Sequence, residues 1–153
     1  DIAILGDRLF ISMFSITGNV ANFIYDGGIV EYDLQGREFF GHLVRDLWQP
    51  HSVRVINQSL CFLDSMRGHL HTDWHKVETV FNGFMRGLDF DGQYWYLGQS
   101  VHRYFDRGHS SLGNMSVDSG VVIYDGLTRL TRVIQTPRIR DLNTIFLETD
   151  HCQ

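Results

Sequence analysis

Short runs rich in apolar and aromatic residues recur along the chain between more polar stretches, and turn pairs that contain Gly, Asn or Asp separate these runs at short intervals. This pattern predicts short antiparallel strands joined by tight turns. No stretch of useful length carries apolar residues at helical spacing. We therefore predict an all-β protein.

One segment of the sequence recurs three times. Residues 26–33 (DGGIVEYD) align without gaps with residues 118–125 (DSGVVIYD), and residues 68–73 form a weaker copy between them. Each copy predicts a short strand that is entered through a glycine and left through an aspartate turn. The closing aspartates, which we expect to be structural, are Asp33, Asp73 and Asp125.

Each copy belongs to a larger unit of four strands. A turn pair and a β-rich run precede the copy, and another β-rich run follows it; the turn pairs are Gly6-Asp7, Asn57-Gln58 and Asp91-Gly92. Four antiparallel strands that recur about every 35 to 50 residues are typical of β-propeller blades. We predict blade one at about 1–47, blade two at about 48–84, blade three at about 85–136, and the first hairpin of blade four, over 140–150, within about 137–153.

Three blades and a hairpin do not close a ring, because propellers typically contain four to eight blades. Unclosed blades leave apolar faces and unpaired strand edges exposed. The sequence therefore predicts either that the remaining blades of a larger propeller complete this segment or that copies of it self-associate.

Polar side chains recur where the first strand of each unit begins. Aligned on the turn pairs, Ser52 matches Arg86, and Arg138 matches both. The long loops 16–27 and 101–119 belong to the same face of a propeller, and long loops in compact domains are often functional. We predict that this face binds a ligand through His51, Ser52, Arg86, His102, Arg103 and Arg138.

Two of these residues have more than one interpretation. His51 follows Pro50, so its imidazole could act as a general base, as a weak candidate metal ligand, or as a cap on a turn. Arg86 could bind a carboxylate or phosphate bidentately, or it could pair with a neighbouring blade.

Other polar clusters favour structural roles. Asp64 and Ser65 are expected to fix a turn, because Asp and Ser side chains bond nearby backbone. His69, His71 and His75 are spaced like metal ligands, but we expect an exposed face of an outer strand. No nucleophile elbow, phosphate loop, paired-carboxylate motif or zinc signature is present, and no cofactor is strongly implied.

The net charge bears on the classes of partner that we expect, and the cysteine content bears on the cellular compartment. The net charge of the 153 residues is −5 without a basic cluster, so we expect neither a nucleic-acid partner nor a membrane partner. Cys61 lies in a strand-like run and is expected to be a core thiol, whereas Cys152 lies near the end of the sequence. Two such cysteines form no disulfide framework, which favours a reducing, cytoplasmic location.

The chain resembles an uncharacterised, mainly bacterial β-propeller-like family. The resemblance rests on PHSVR, LDSMRG, GFMRGLDFDG, LGQSVHR and SGVVIYD, between residues 50 and 125. It implies a propeller fold and no established activity. The PHSV segment is loosely similar to propeller lyases and lactonases with metals at the channel mouth, but their other ligands cannot be placed in this sequence, so this resemblance implies no such chemistry.

Three functional hypotheses follow. The first is a propeller segment whose strand-start face binds an anionic small molecule or an acidic group of a protein partner. The second is a hydrolase or lyase with His51 as base or metal ligand and Arg86 as oxyanion stabiliser. The third is a protein-interaction scaffold without a small-molecule site.

Overall fold

The fold is built from β-strands in the part of the chain that is described. A computed structural model describes residues 1–18, 22, 24–102 and 114–148. This part contains twelve strands in three four-stranded antiparallel sheets and no α-helix. It accordingly has no helix that could span a membrane. The predictions of an all-β protein and of repeated four-stranded units are confirmed.

The strands of each sheet follow one another in chain order. Sheet 1 contains β1 (Ile2–Leu5), β2 (Arg8–Met13), β3 (Gly27–Asp33) and β4 (Glu38–Leu47). Sheet 2 contains β5 (Pro50–Ile56), β6 (Ser59–Asp64), β7 (His69–Asp73) and β8 (Lys76–Val80). Sheet 3 contains β9 (Phe84–Phe90), β10 (Tyr94–Ser100), β11 (Gly120–Asp125) and β12 (Thr131–Gln135).

The repeated glycine is required by a close approach of backbone. A Cβ added at Gly28, Gly68 or Gly120 would lie within 3.0 Å of a carbonyl oxygen on, or directly after, the fourth strand of the same sheet. Real Cβ atoms do not approach backbone so closely. The recurring glycine therefore allows the third strand of each sheet to pair with the fourth.

The repeated aspartate caps the turn that follows the third strand. Each carboxylate accepts the backbone N–H of the residue two positions further on, which is Gln35, His75 or Leu127. This is the Asx-turn arrangement. The structural role that the sequence predicts for Asp33, Asp73 and Asp125 is confirmed.

Sheet 2 is packed between the other two sheets. Leu60 and Phe62 of β6 join a core cluster with Phe10 and Ile29 of sheet 1. The alternate β6 residues, with Cys61 among them, join a second cluster with residues of sheet 3. Because successive side chains point to opposite faces of a strand, β6 is apolar on both faces. Cys61 is a buried free thiol, as predicted, and burial raises its pKa to about 12.

The three sheets approach one another most closely at their first strands. β1 lies beside β5, and β5 lies beside β9. Every pair of strands from different sheets that is in substantial contact includes β5 or β9. The first strands are therefore the inner strands of the assembly, and we call them so below.

A β-bulge with positive φ interrupts two of the inner strands at matching places. The bulge residues are Ser52 (φ 57°) in β5 and Gly87 (φ 75°) in β9. The Ser52 N–H donates to Oδ2 of Asp1 at 2.6 Å, and the Gly87 N–H donates to Oγ of Ser52 at 2.8 Å. The same kind of hydrogen bond thus connects β1 to β5 and β5 to β9. We call this pair of bonds the bulge relay.

The bulges correct one alignment made from the sequence. Ser52 is equivalent to Gly87 and not to Arg86, so His51 is the residue equivalent to Arg86. The error arises in the third turn, where Asp91 lies before the turn and its carboxylate accepts the N–H of Gln93. The left-handed residue of that turn is Gly92, one position later than the alignment assumed.

The segment after β12 differs from the prediction. The sequence predicts a hairpin over residues 140–150. Residues 136–148 are described and contain no strand, so the hairpin is not formed there. This segment lies against sheet 3: the carbonyl of Arg140 accepts the N–H of Val101 at 2.8 Å, and Asp89 accepts the N–H of Leu147 at 2.8 Å. Residues 149–153 lie outside the described residues.

His71 is buried, contrary to the expected exposed strand face. Its ring stacks on Phe62 at 4.3 Å between centroids, on the face that sheet 1 covers. Neither ring nitrogen has a hydrogen-bond partner among the described residues. Burial, together with the imidazole of His69, lowers the pKa of His71 to about 4.

Replacement of Ser52 by Ala tests the bulge relay. The change removes the acceptor of the buried Gly87 N–H, and an unsatisfied buried donor costs about 1–3 kcal/mol. Chemical denaturation should show a loss of this size in the free energy of unfolding. Ser59→Ala is the matched control, because no hydrogen bond of the Ser59 side chain is present among the described residues. Equal stability of the two variants would contradict the relay.

Replacement of His71 by Phe should stabilise the protein by about 1 kcal/mol, because it removes two buried polar atoms without partners. The pKa of His71 is depressed in the folded state, so below its unfolded value the unfolded chain binds a proton that the folded chain does not. The free energy of unfolding of the wild type therefore decreases as the pH is lowered from 6.5 to about 4. Denaturation across this range should show a smaller fall in the variant, and an unchanged fall would contradict the assignment.

Candidate functional site

Four aromatic rings form a row at the end of the molecule where β5 and β9 begin. Phe14 lies 4.7 Å from His51, His51 lies 5.7 Å from Phe84, and Phe84 lies 5.1 Å from His102, measured between ring centroids. His51 and Phe84 lie at the starts of β5 and β9, Phe14 directly follows β2, and His102 is the second residue after β10. We call this row, together with Arg86, the His51 cluster.

Arg86 lies beside the same row. Its guanidinium carbon is 5.9 Å from the centroid of the Phe84 ring, and Nη1 is 3.6 Å from a carboxylate oxygen of Asp141. The predicted convergence of His51 and Arg86 is therefore present. The ion pair with Asp141 agrees with the alternative interpretation of Arg86, in which the guanidinium pairs with a neighbouring part of the chain.

The hydrogen bonds of His51 define its tautomer. Nδ1 lies 2.9 Å from the carbonyl oxygen of Gln49 and 2.8 Å from Oγ of Ser65. A carbonyl oxygen only accepts, so we assign the proton to Nδ1, which donates to Gln49. In the neutral ring Nε2 then carries the lone pair, and no described residue is its hydrogen-bond partner.

The ring of His51 is kept neutral by its surroundings. The residue is 7% exposed. Burial, and then the positive charge of Arg86, lower its pKa to about 4, although the bond to Gln49 opposes the shift. At neutral pH the imidazole can accept a hydrogen bond or a proton at Nε2, but it does not present a cation to an anion.

The short turn between β6 and β7 positions His51. Ser65 is fully buried and contacts Nδ1 of His51. Asp64 accepts the N–H of Trp48 at 2.7 Å and pairs with Arg67 at 3.0 Å, while burial raises the pKa of its carboxyl to about 6. The sequence predicts a role in the turn for both residues, but it does not predict the contact between Ser65 and His51.

The other predicted ligand residues have different surroundings. The hydroxyl of Ser52 accepts the Gly87 N–H, so it belongs to the bulge relay. Its own hydrogen is not used in that bond, and its role as a ligand donor stays a prediction. Arg138 is exposed, and no hydrogen bond or ion pair joins it to a described residue. Arg103 lies outside the described residues. The structure thus brings together His51, Arg86 and His102 from the predicted set.

A groove between the inner strands is a second feature, and the sequence did not predict it. Its volume is about 440 Å³, and β1, β5, β9 and residues 144 and 146 line it. Arg54 crosses this groove: Nη2 donates to the carbonyl of Ile145 at 2.8 Å, and the guanidinium lies 4.5 Å from the centroid of the Phe146 ring. Asp89 lies 3.6 Å from the same guanidinium. The polar groups of Arg54 therefore hold the segment after β12.

Metal binding at His51 lacks further ligands in the part of the chain that the structure covers. No group of three or more His, Cys, Asp or Glu side chains there could hold a metal ion. A protein site for a transition metal normally needs at least three such ligands.

Comparisons of the chain with protein-family models, with curated proteins and with solved structures found no match. The resemblance to a β-propeller-like family therefore stays a prediction.

The tautomer of His51 can be tested by ¹⁵N NMR of the imidazoles. We expect Nδ1 to be protonated and Nε2 to be unprotonated at pH 7, and the ring to stay neutral down to about pH 4, because it is buried beside Arg86. The same resonance in the unfolded chain provides the reference. Protonation of the folded ring near pH 6.5, the ordinary histidine value, would contradict the assignment.

Proposed function

We propose that the three sheets are consecutive blades of a β-propeller and that the rim at the His51 cluster binds an anionic group. Three observations support the propeller arrangement: sheet 2 is packed between sheets 1 and 3, the inner strands lie side by side, and the bulge relay repeats from strand to strand. Radial repetition of four-stranded sheets has these properties.

Further sheets would complete the ring. Sheet 1 leaves Ile2 and Ile4 exposed, and sheet 3 leaves Ile134 exposed. Large exposed apolar faces usually mark interaction surfaces. The remaining blades of a larger propeller, or a second copy of this chain, would cover these faces. The segment after β12 supports the first arrangement, because it already lies against β9 near Gly87.

The observation that carries anion binding is the position of Arg86 beside a neutral imidazole. The planar guanidinium fork suits a carboxylate or a phosphate. Arg86 pairs with the carboxylate of Asp141 at 3.6 Å. An incoming anion would therefore compete with Asp141 for Arg86. The anion can belong to a small molecule or to an acidic group of a protein partner.

We further propose that the described start of the loop after β10 forms the edge of this rim. His102 is the second residue after β10, is 5% exposed and packs against Phe84. Arg103 is the next residue, and we keep it as a proposed ligand residue. Residues that bind ligands often lie on loops, and a rigid scaffold holds these loops in place.

A hydrolase or lyase is the second candidate. The neutral state of His51 permits this role, because a general base must be unprotonated at the working pH, but a pKa of about 4 makes the imidazole a weak base at neutral pH. Arg86 would then stabilise developing negative charge. A stoichiometric metal ion in the purified protein that is lost in His51→Ala would support this candidate. A scaffold without a small-molecule site would show neither this metal nor the ligand effect described below.

The buried free thiol of Cys61 fits the proposed cytoplasmic location. A thiol with its pKa raised to about 12 is a poor nucleophile at neutral pH. It therefore serves as a small apolar side chain in the core between sheets 2 and 3.

The anion site can be tested by thermal denaturation with malonate, sulfate or inorganic phosphate at constant ionic strength. We expect at least one of these anions to raise the Tm of the wild type. Arg86→Ala should abolish the rise, and Asp141→Asn should increase it, because the competing carboxylate is removed. Arg45→Ala is the matched control, since Arg45 is exposed on β4. An equal rise in the Arg86→Ala and Arg45→Ala variants would contradict the proposal.

A further inference from the structure

The geometry of the His51 cluster points to a hydroxy acid as the class of ligand, and we propose that its hydroxyl donates to Nε2 of His51 while its carboxylate binds Arg86. This inference rests on the proposed anion site. It adds a second recognition element, which an anion alone does not use.

The direction of the hydrogen bond at His51 is imposed by the protein. Gln49 offers only a carbonyl oxygen to Nδ1, so the Nδ1 proton is committed to that bond. Ser65 lies on the same nitrogen at 2.8 Å, and it therefore limits rotation of the ring. Nε2 is left as an acceptor with a fixed position.

Nε2 of His51 has no hydrogen-bond partner among the described residues, and it is not one of the buried atoms that lack a partner. It is therefore accessible to a ligand group that donates a hydrogen bond. A carboxylate cannot donate, and the positive charge of Arg86, which already opposes protonation of His51, disfavours an ammonium group. A neutral hydroxyl is the donor that satisfies Nε2 without adding a charge.

The ring of Phe84 lies next to both recognition elements. His51 and the guanidinium of Arg86 lie 5.7 and 5.9 Å from the centroid of this ring. The carbon skeleton of a small ligand that binds both groups would therefore pack against Phe84.

Matched ligand pairs test the inference on the whole 153-residue chain. Affinities for malate and succinate, and for glycolate and acetate, are measured by calorimetry in the wild type, in Arg86→Ala and in His51→Phe. His51→Phe keeps an aromatic ring between Phe14 and Phe84 but removes Nε2. The ¹⁵N resonance of Nε2 in the wild type is followed during the same titrations.

We expect the hydroxy acid to bind about fivefold more tightly than its partner without the hydroxyl, which is the effect of one additional neutral hydrogen bond. His51→Phe should abolish this preference, and the Nε2 resonance should shift with malate but not with succinate. If His51→Phe does not fold, the shift of the Nε2 resonance in the wild type on addition of malate or succinate tests the inference. Arg86-dependent binding of both ligands with equal affinity and no Nε2 shift would overturn this inference and leave the anion site intact. Absence of Arg86-dependent binding would overturn both.

Discussion

The hydrogen bond from the Gly87 amide to the Ser52 hydroxyl holds two inner strands side by side, and the other features of the molecule depend on this contact. It places the bulge of β9 next to the bulge of β5. The residues just before the bulges, His51 and Arg86, consequently lie at the same end of neighbouring strands. A second hydrogen bond, from the Ser52 N–H to the Asp1 carboxylate, connects β5 to sheet 1 in the same way.

The packing of the core and the properties of the His51 cluster both follow from the position of sheet 2 between sheets 1 and 3. Sheet 2 is covered on both faces, and the burial of His51 follows from the position of β5 between its neighbours. This burial lowers the pKa of His51 and keeps the ring neutral. A neutral, fixed acceptor next to a guanidinium is suited to recognition of a ligand with two different polar groups. The charge of the cluster therefore follows from the fold as well as from the residue types.

Local sequence patterns predicted the strands, the turns and the repeat, because these depend on residues close together in the chain. The recurring glycine and aspartate are examples, since each acts within its own sheet. Features that depend on contacts between sheets were predicted less well. His71 is buried because sheet 1 covers it. The Ser52 hydroxyl of β5 accepts a hydrogen bond from the Gly87 N–H of β9, which belongs to another sheet. The contact of Ser65 with His51 also required the three-dimensional register of β5 and β6, which a bulge shifts.

The central claim is that the inner strands lie side by side in the order β1, β5, β9, with the His51 cluster at one end. Nuclear Overhauser effects on the labelled protein test it most directly. The account predicts a strong effect between the Gly87 amide proton and the β protons of Ser52, and another between the rings of His51 and Phe84. Absence of both effects, with Gly87 and Phe84 in contact with other parts of the chain, would contradict it.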